Sequence, residues 1–159
     1  MQCSFVAREV IQYYQSKDTD VYVTLLDASK AFDRVEYLAL FRTLKQKNVC
    51  PVITRFLLGL YTSQKIRVRW GGAHTQSFST TNGVKQGGVL SPLLFSLYLE
   101  PLLHQLTTAG YGCWVGSTFC GALAYADDIV LLAPSINAVR QQLKICSDYA
   151  TAYKVLFNA

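Results

Sequence analysis

Apolar residues recur with a helical period at the start of the chain, at Phe5, Val6, Val10, Ile11 and Tyr14, and predict a helix over residues 4–16. The stretch "DVYVTLLDA" then reads as a buried strand, rich in β-branched and aromatic residues, that ends at Asp27. Asp33 and Glu36 have capping-box spacing and predict a helix with Tyr37, Leu40, Phe41 and Leu44 on its apolar face. Pro51 suits the first turn of a further helix, to about Tyr61. "QKIRVRWGGAHTQSFST" alternates around Gly71 and Gly72 as a hairpin, which puts Lys65, Arg67 and Arg69 on one face and Ile66, Val68 and Trp70 on the other. "NGVKQGGVLSP" is a glycine-bearing loop closing on Ser91 as N-cap and Pro92 in the first turn of a helix that continues to about Leu106. A second hairpin turns at Gly116 and Ser117. Two apolar strands, Gly121 to Tyr125 and Ile129 to Ala133, then flank Asp127 and Asp128, and a last helix from about Ser135 to Tyr149 carries Val139, Leu143, Cys146 and Tyr149 along one side.

That order of elements predicts an α+β domain with helices packed on an antiparallel sheet. No repeat, low-complexity tract or linker divides the chain, so the 159 residues read as one compact unit, and 51% hydrophobic residues suffice for a core. The most apolar segment, Val89 to Leu103, is interrupted by Ser91, Pro92, Glu100 and Pro101, and is expected to be a core helix rather than a membrane span. The N-terminus lacks the apolar core of a secretory signal. Five cysteines without metal-ligand spacing read as reduced thiols inside a cell, Cys113 and Cys120 among them as small buried groups. His74 and His104 are isolated and carry no assigned role. A formal charge of +5 is a mild pointer to a polyanionic partner, and the Lys65, Arg67 and Arg69 stripe reads equally as a phosphate contact or a solvated strand face.

The one feature that contradicts the apolar pattern is "ALAYADDIVLLA", residues 122–133, where two carboxylates interrupt a buried run. Burying an ionised carboxylate is costly unless it is paired or binds a metal, which leaves three explanations: a solvated turn, an ion pair with Arg or Lys, or a divalent cation at a hairpin tip. Asp27 ends another buried strand. A sheet setting the two strands side by side would gather three carboxylates, and Mg²⁺ favours such oxygens together with water and substrate phosphate.

Three segments, "LLDASKAFDRV" (25–35), "GVKQGGVLSPLLF" (83–95) and "AYADDIVLL" (124–132), resemble in this order the first three palm motifs of reverse transcriptases, in the wording of the LINE-type, non-LTR retrotransposon branch. The resemblance runs from about residue 20 to the C-terminus. It implies a palm with a partial fingers segment over about residues 1–20, and an RNA-directed DNA polymerase that extends a DNA primer on an RNA template from dNTPs, with Mg²⁺ or Mn²⁺ as cofactor. Asp27, Asp127 and Asp128 resemble the catalytic metal ligands, and Ala28 would add a backbone carbonyl. Phe32 resembles the bulky residue beneath the sugar of the incoming nucleotide, which favours deoxynucleotides. Gln86, Gly87 and Tyr125 resemble residues around that nucleotide. Viral RNA-dependent RNA polymerases usually place an aspartate where Phe32 stands and end in a GDD tip. Asp33, one position further on, is therefore left as a helix cap, and Ser91 and Pro92 as capping residues.

The resemblance also sets expectations of absence. The thumb, most of the fingers and an endonuclease, all parts of the parent polyprotein, are expected but missing, and Lys154 does not match the family's later lysine. Two readings stay open: a polymerase palm with intact carboxylates, or a truncated relic that binds nucleic acid or is purely structural. The family implies action in the nucleus, and no membrane partner is expected.

Overall fold

The computed structural model describes residues 2–158 and divides into two compact units, Met1–Ala31 with Leu99–Ala159, and Phe32–Tyr98, a division that no linker in the sequence marks. Helix α1 (Gln2–Gln15) and strand β1 (Tyr22–Ala28) open the first unit. The second holds a 3-10 turn (Phe32–Arg34), helices α2 (Tyr37–Gln46) and α3 (Pro51–Thr62), and four short strands, β2 (Lys65–Ile66), β3 (Arg69–Trp70), β4 (Ala73–His74) and β5 (Phe78–Ser79). Helix α4 (Ser91–Ala109) begins in the second unit and ends in the first. The first unit is completed by β6 (Trp114–Val115), β7 (Thr118–Phe119), β8 (Ala122–Tyr125), β9 (Asp128–Ala133), α5 (Ile136–Tyr153) and β10 (Phe157–Asn158). This is the expected α+β arrangement. Among the described residues no helix is long and apolar enough to cross a membrane.

The first unit is built on a four-stranded antiparallel sheet in the order β10-β1-β9-β8. Strand β1 pairs with β9 from Tyr22 opposite Ala133 to Asp27 opposite Asp128. Because side chains alternate along a strand, Leu26 with Ile129 shares one face and Asp27, Asp128, Val130 and Leu132 the other. Helix α5 packs on β1 and β9, and its Ser135 accepts a hydrogen bond at Oγ from the Ala138 N–H, so this predicted cap is present. On the carboxylate face, Leu132 joins Val10, Cys113 and Cys120 in a buried cluster with Val6, Tyr14, Leu123 and Val130 packed around it. Tyr14 ties α1 to the β6–β7 hairpin: its hydroxyl accepts from the Trp114 N–H (2.8 Å) and donates to the Trp114 carbonyl (3.1 Å).

All five thiols are free. Burial pushes the Cys146 thiol up to about 12 and the Cys113 thiol to about 11, which keeps both protonated and unreactive at neutral pH.

The second unit has its own core, in which Val35, Leu40, Leu44, Tyr61, Phe95 and Tyr98 are buried. Here two sequence expectations fail. Asp33 does not cap α2; the helix starts at Tyr37 with Glu36 in extended geometry and no side-chain cap. The reason is a short ladder formed before the helix can begin: the Val84 N–H donates to the Phe32 carbonyl (2.7 Å), the Gly83 N–H to the Val35 carbonyl (2.8 Å), and Glu36 bridges Asn82. Ser91 does not act as a cap either. It lies inside α4, fully buried, and its hydroxyl donates to the Lys85 carbonyl (2.5 Å), closing the glycine loop.

Residues 112 and 121 pass each other closely in the first unit. A Cβ at Gly121 would lie 2.7 Å from the Gly112 Cα and 2.6 Å from the Phe119 ring, and buried Gln142 donates to the Gly121 carbonyl at 2.8 Å. Gly121→Ala is therefore expected to lower the unfolding free energy by about 1–3 kcal/mol. Gly59→Ala, in the middle of α3 with nothing within 4 Å of the new Cβ, should raise it by roughly 0.5–1 kcal/mol. Urea unfolding of the two variants checks both signs.

Candidate active site

One end of the four-stranded sheet carries Asp27, Asp127 and Asp128. Asp27 and Asp128 are directly opposed in register, so their side chains rise from the same face, and both are exposed. Asp127 is half-buried in the two-residue turn enclosed by the Tyr125–Asp128 pair. Its carbonyl accepts from the Ala28 N–H (3.3 Å), which fastens the turn to β1. Ala126, the first residue of that turn, has a φ of 53°, the left-handed region that L-residues enter at a cost of about 1–2 kcal/mol. Positive φ at the first central position fits a type II′ turn, whose twist suits a tight hairpin. The strained alanine is what lets Asp128 resume the strand opposite Tyr125.

Beside the pair runs a groove of about 480 Å³, lined by Leu25, Leu26, Asp27, Asp128, Ile129, Val130 and Asn158. Tyr125 is 70% exposed next to it in register, and Leu25 is 68% exposed. Ala28 is buried and pairs with Phe157 of β10. Among the described residues no three His, Cys, Asp or Glu side chains are grouped so as to hold a metal ion, so the expected gathering of three carboxylates is not formed and Asp27 with Asp128 stands as a pair. An open pair of hard oxygen donors at a solvent-facing groove still fits Mg²⁺, which keeps several waters and takes one or two carboxylates together with substrate phosphates. Zinc, with its preference for nitrogen and sulfur, does not fit this donor set.

Phe32, Gln86 and Gly87 belong to the second unit. The Phe32 ring, half-buried, rests against the buried Phe95 ring at 5.2 Å between centroids, so it is held from behind by the core. Gln86 is held too, by a contact the sequence reading missed. Its Nε2 donates to both carboxylate oxygens of Asp33, at 3.1 and 3.3 Å. A carboxylate only accepts, which fixes the amide orientation and turns Oε1 away from Asp33. Asp33 is thus a positioning residue for Gln86; the signal in the sequence, an acid three residues before Glu36, pointed to a cap instead. Gly87 has a φ of 75° with open space where a Cβ would stand, so its backbone lies bare. Lys65, Arg67 and Arg69 are exposed on the β2–β5 hairpin, also in the second unit. Ile66, Val68 and Trp70 of the other expected face are exposed as well.

Comparison with known proteins agrees with this geometry. The family described as "Reverse transcriptase (RNA-dependent DNA polymerase)" matches residues 2–159. The chain is 31% identical over 134 residues to the retrovirus-related Pol polyprotein of the type-1 retrotransposable element R2 of Nasonia vitripennis, a match covering 84% of this chain and 13% of that protein. It is 27% identical over 140 residues to the RNA-directed DNA polymerase from mobile element jockey of Drosophila funebris, covering 84% of this chain and 15% of that one. The chain thus spans well under a fifth of the length of these relatives. In fold it is similar to the telomerase of Candida albicans solved with a fragment of telomeric RNA, with a TM-score of 0.74 at 13% identity over 98% of this chain and 29% of that one.

Two like charges placed directly across a strand pair repel. In the absence of divalent cations, Asp128→Asn is expected to stabilise the protein by roughly 0.2–1 kcal/mol. The gain should shrink as salt is raised. Millimolar Mg²⁺ should stabilise the wild type and not the variant. Melting curves in EDTA, in NaCl and in MgCl₂ test all three.

Proposed function

The chain belongs to the reverse transcriptase (RNA-dependent DNA polymerase) family, and from that premise we propose that it is the palm portion of an RNA-directed DNA polymerase encoded by a non-LTR retrotransposable element. The single observation that carries the reading is the register of Asp27 opposite Asp128, with Asp127 in the adjoining turn. Asp27, Asp127 and Asp128 would hold Mg²⁺, or Mn²⁺ in its place, with the Ala28 carbonyl as a further oxygen. When bound, the metal supplies activation of the primer 3′-hydroxyl and neutralisation of charge on the leaving phosphate.

The remaining work belongs to the chain's own residues. Phe32, backed by Phe95, presents a rigid ring that excludes a 2′-hydroxyl and so selects dNTPs. Gln86, oriented by Asp33, offers its amide oxygen as an acceptor, and the bare backbone at Gly87 permits close approach of the nucleotide. Tyr125 presents an exposed ring beside the carboxylates. An RNA template and a DNA primer complete the substrate set. Residues up to about 20 are assigned to a fingers segment and the rest to the palm, with the thumb supplied by the parent polyprotein. The relatives' much greater length supports that division of labour.

Primer extension on an RNA template tests the reading. With Mg²⁺ and dNTPs the wild type is expected to incorporate, and Asp127→Asn to lose at least about a hundredfold, since weakening even a ligand's support costs that much in metal sites. Phe32→Ala should keep dNTP incorporation and gain ribonucleotides. A folded wild type that incorporates nothing would sink the reading of the chain as a working palm and leave the relic reading in its place.

A further inference from the structure

The charge of this protein is segregated. Residues 32–98 carry nine Lys and Arg against two acids, a formal +7, whereas the other unit carries six against eight, a formal −2. Between Glu36 and Glu100 the sequence contains no acidic residue at all. The modest +5 of the whole chain hides a strongly basic unit joined to a mildly acidic one.

Within the basic unit the β2–β5 hairpin is held by two short ladders. Lys65 opposes Ser79 and Ile66 opposes Phe78; further out, Arg69 opposes His74 and Trp70 opposes Ala73. The register slips by one residue between these two short ladders, and the Thr75 N–H and Oγ1 bond the carbonyl and N–H of Val68 across the gap. The tip is a Gly71–Gly72 turn with φ of 52° and 85°, positive at both positions as a type I′ turn requires. Every residue from Lys65 to Ser79 is exposed. Trp70 is 84% exposed, with only an alanine across from it, and Phe78 is 50% exposed.

A lone indole held in water beside arginines is poorly explained as packing, because folding gains nothing from it. Alternation puts its flat ring on the opposite face from Lys65, Arg67 and Arg69, so a strand that stacks a base on Trp70 reaches the three cations by wrapping the open edge of the two-stranded hairpin, which contains no acid. We propose that the hairpin Lys65–Ser79 is a single-stranded nucleic acid binding site in its own right, in which Trp70 stacks on a base and Lys65, Arg67 and Arg69 engage phosphates. It requires neither the carboxylates nor a divalent cation. A single strand is preferred to a duplex because a duplex hides its base faces from the ring. A site that reads ring faces and phosphates is tolerant of sequence.

The test is titration of the full chain with an unstructured pyrimidine 12-mer, as RNA and as DNA, in EDTA, followed by tryptophan fluorescence. Quenching on binding is expected to vanish in Trp70→Ala, because the other indole, Trp114, donates to the Gly110 carbonyl and packs on Phe119. Affinity should fall about tenfold in that variant, a typical value for one lost stack, and be largely restored in Trp70→Phe. Replacing Lys65, Arg67 and Arg69 together by alanine should reduce the slope of log K against log salt by about 2, at about 0.7 per phosphate contact on a single strand. The double variant Asp27→Asn, Asp127→Asn should bind as the wild type does. Unchanged quenching and affinity in Trp70→Ala would overturn the proposal, as would equal quenching by a blunt duplex or loss of binding in the double carboxylate variant. None of these readouts uses dNTPs, so primer extension and strand binding fail or succeed separately.

Discussion

Two negative charges face each other across the central strand pair, and much of the first unit exists to keep them there. Asp27 and Asp128 would separate if β1 and β9 were free to slide, but a slip of one residue would turn either Leu26 of β1 or Ile129 and Leu131 of β9 out of the core. The hydrophobic pattern thus locks the register, and the register holds the repulsion. The bond from the Ala28 N–H to the Asp127 carbonyl and the left-handed Ala126 add local constraints to the same end. Two like charges held directly across a strand pair oppose folding, so the sheet carries this pair at a cost.

The second unit solves a different problem, that of presenting polar and aromatic groups in fixed orientations. Phe32 is braced by Phe95, Gln86 by Asp33, and the loop between them by Ser91 and the ladder of residues 82–84 onto residues 32–36. None of these braces is strong singly; each is a neutral or charge-assisted hydrogen bond or a ring contact worth on the order of 1 kcal/mol. Acting on one short loop they leave it few alternatives.

Much of this was legible in the sequence, and the exceptions share a cause. Helices α1, α3 and α5, the hairpin turns and the strands on either side of Asp127 follow from period and punctuation, because those signals are local. The pairing of Asp27 with Asp128 was inferred only through the need of carboxylates for company; no local signal sets the register of strands so far apart in the chain. Asp33 and Ser91 were misread for a physical reason. A short oxygen-bearing side chain just before a helix resembles a cap, and only the fold reveals that Gln86 and the Lys85 carbonyl are better partners. That both faces of the Lys65–Ser79 hairpin are bare was not legible, because alternation reports which residues share a side, not whether anything covers it. The acid-free run between Glu36 and Glu100 was visible all along but diluted in the whole-chain charge.

The order of strands in the main sheet also bears on how the site comes into being. Strand β1 lies near the N-terminus, its partners β9 and β10 lie near the other end of the chain, and the whole second unit is inserted between. Such non-local pairing gives a high contact order, and closing so long a loop is slow and must precede any gain from the contacts. During synthesis, therefore, no carboxylate pair exists until β9 has left the ribosome. A gene copy interrupted anywhere in the intervening stretch makes no half-working site, because one strand cannot hold its aspartate without the other.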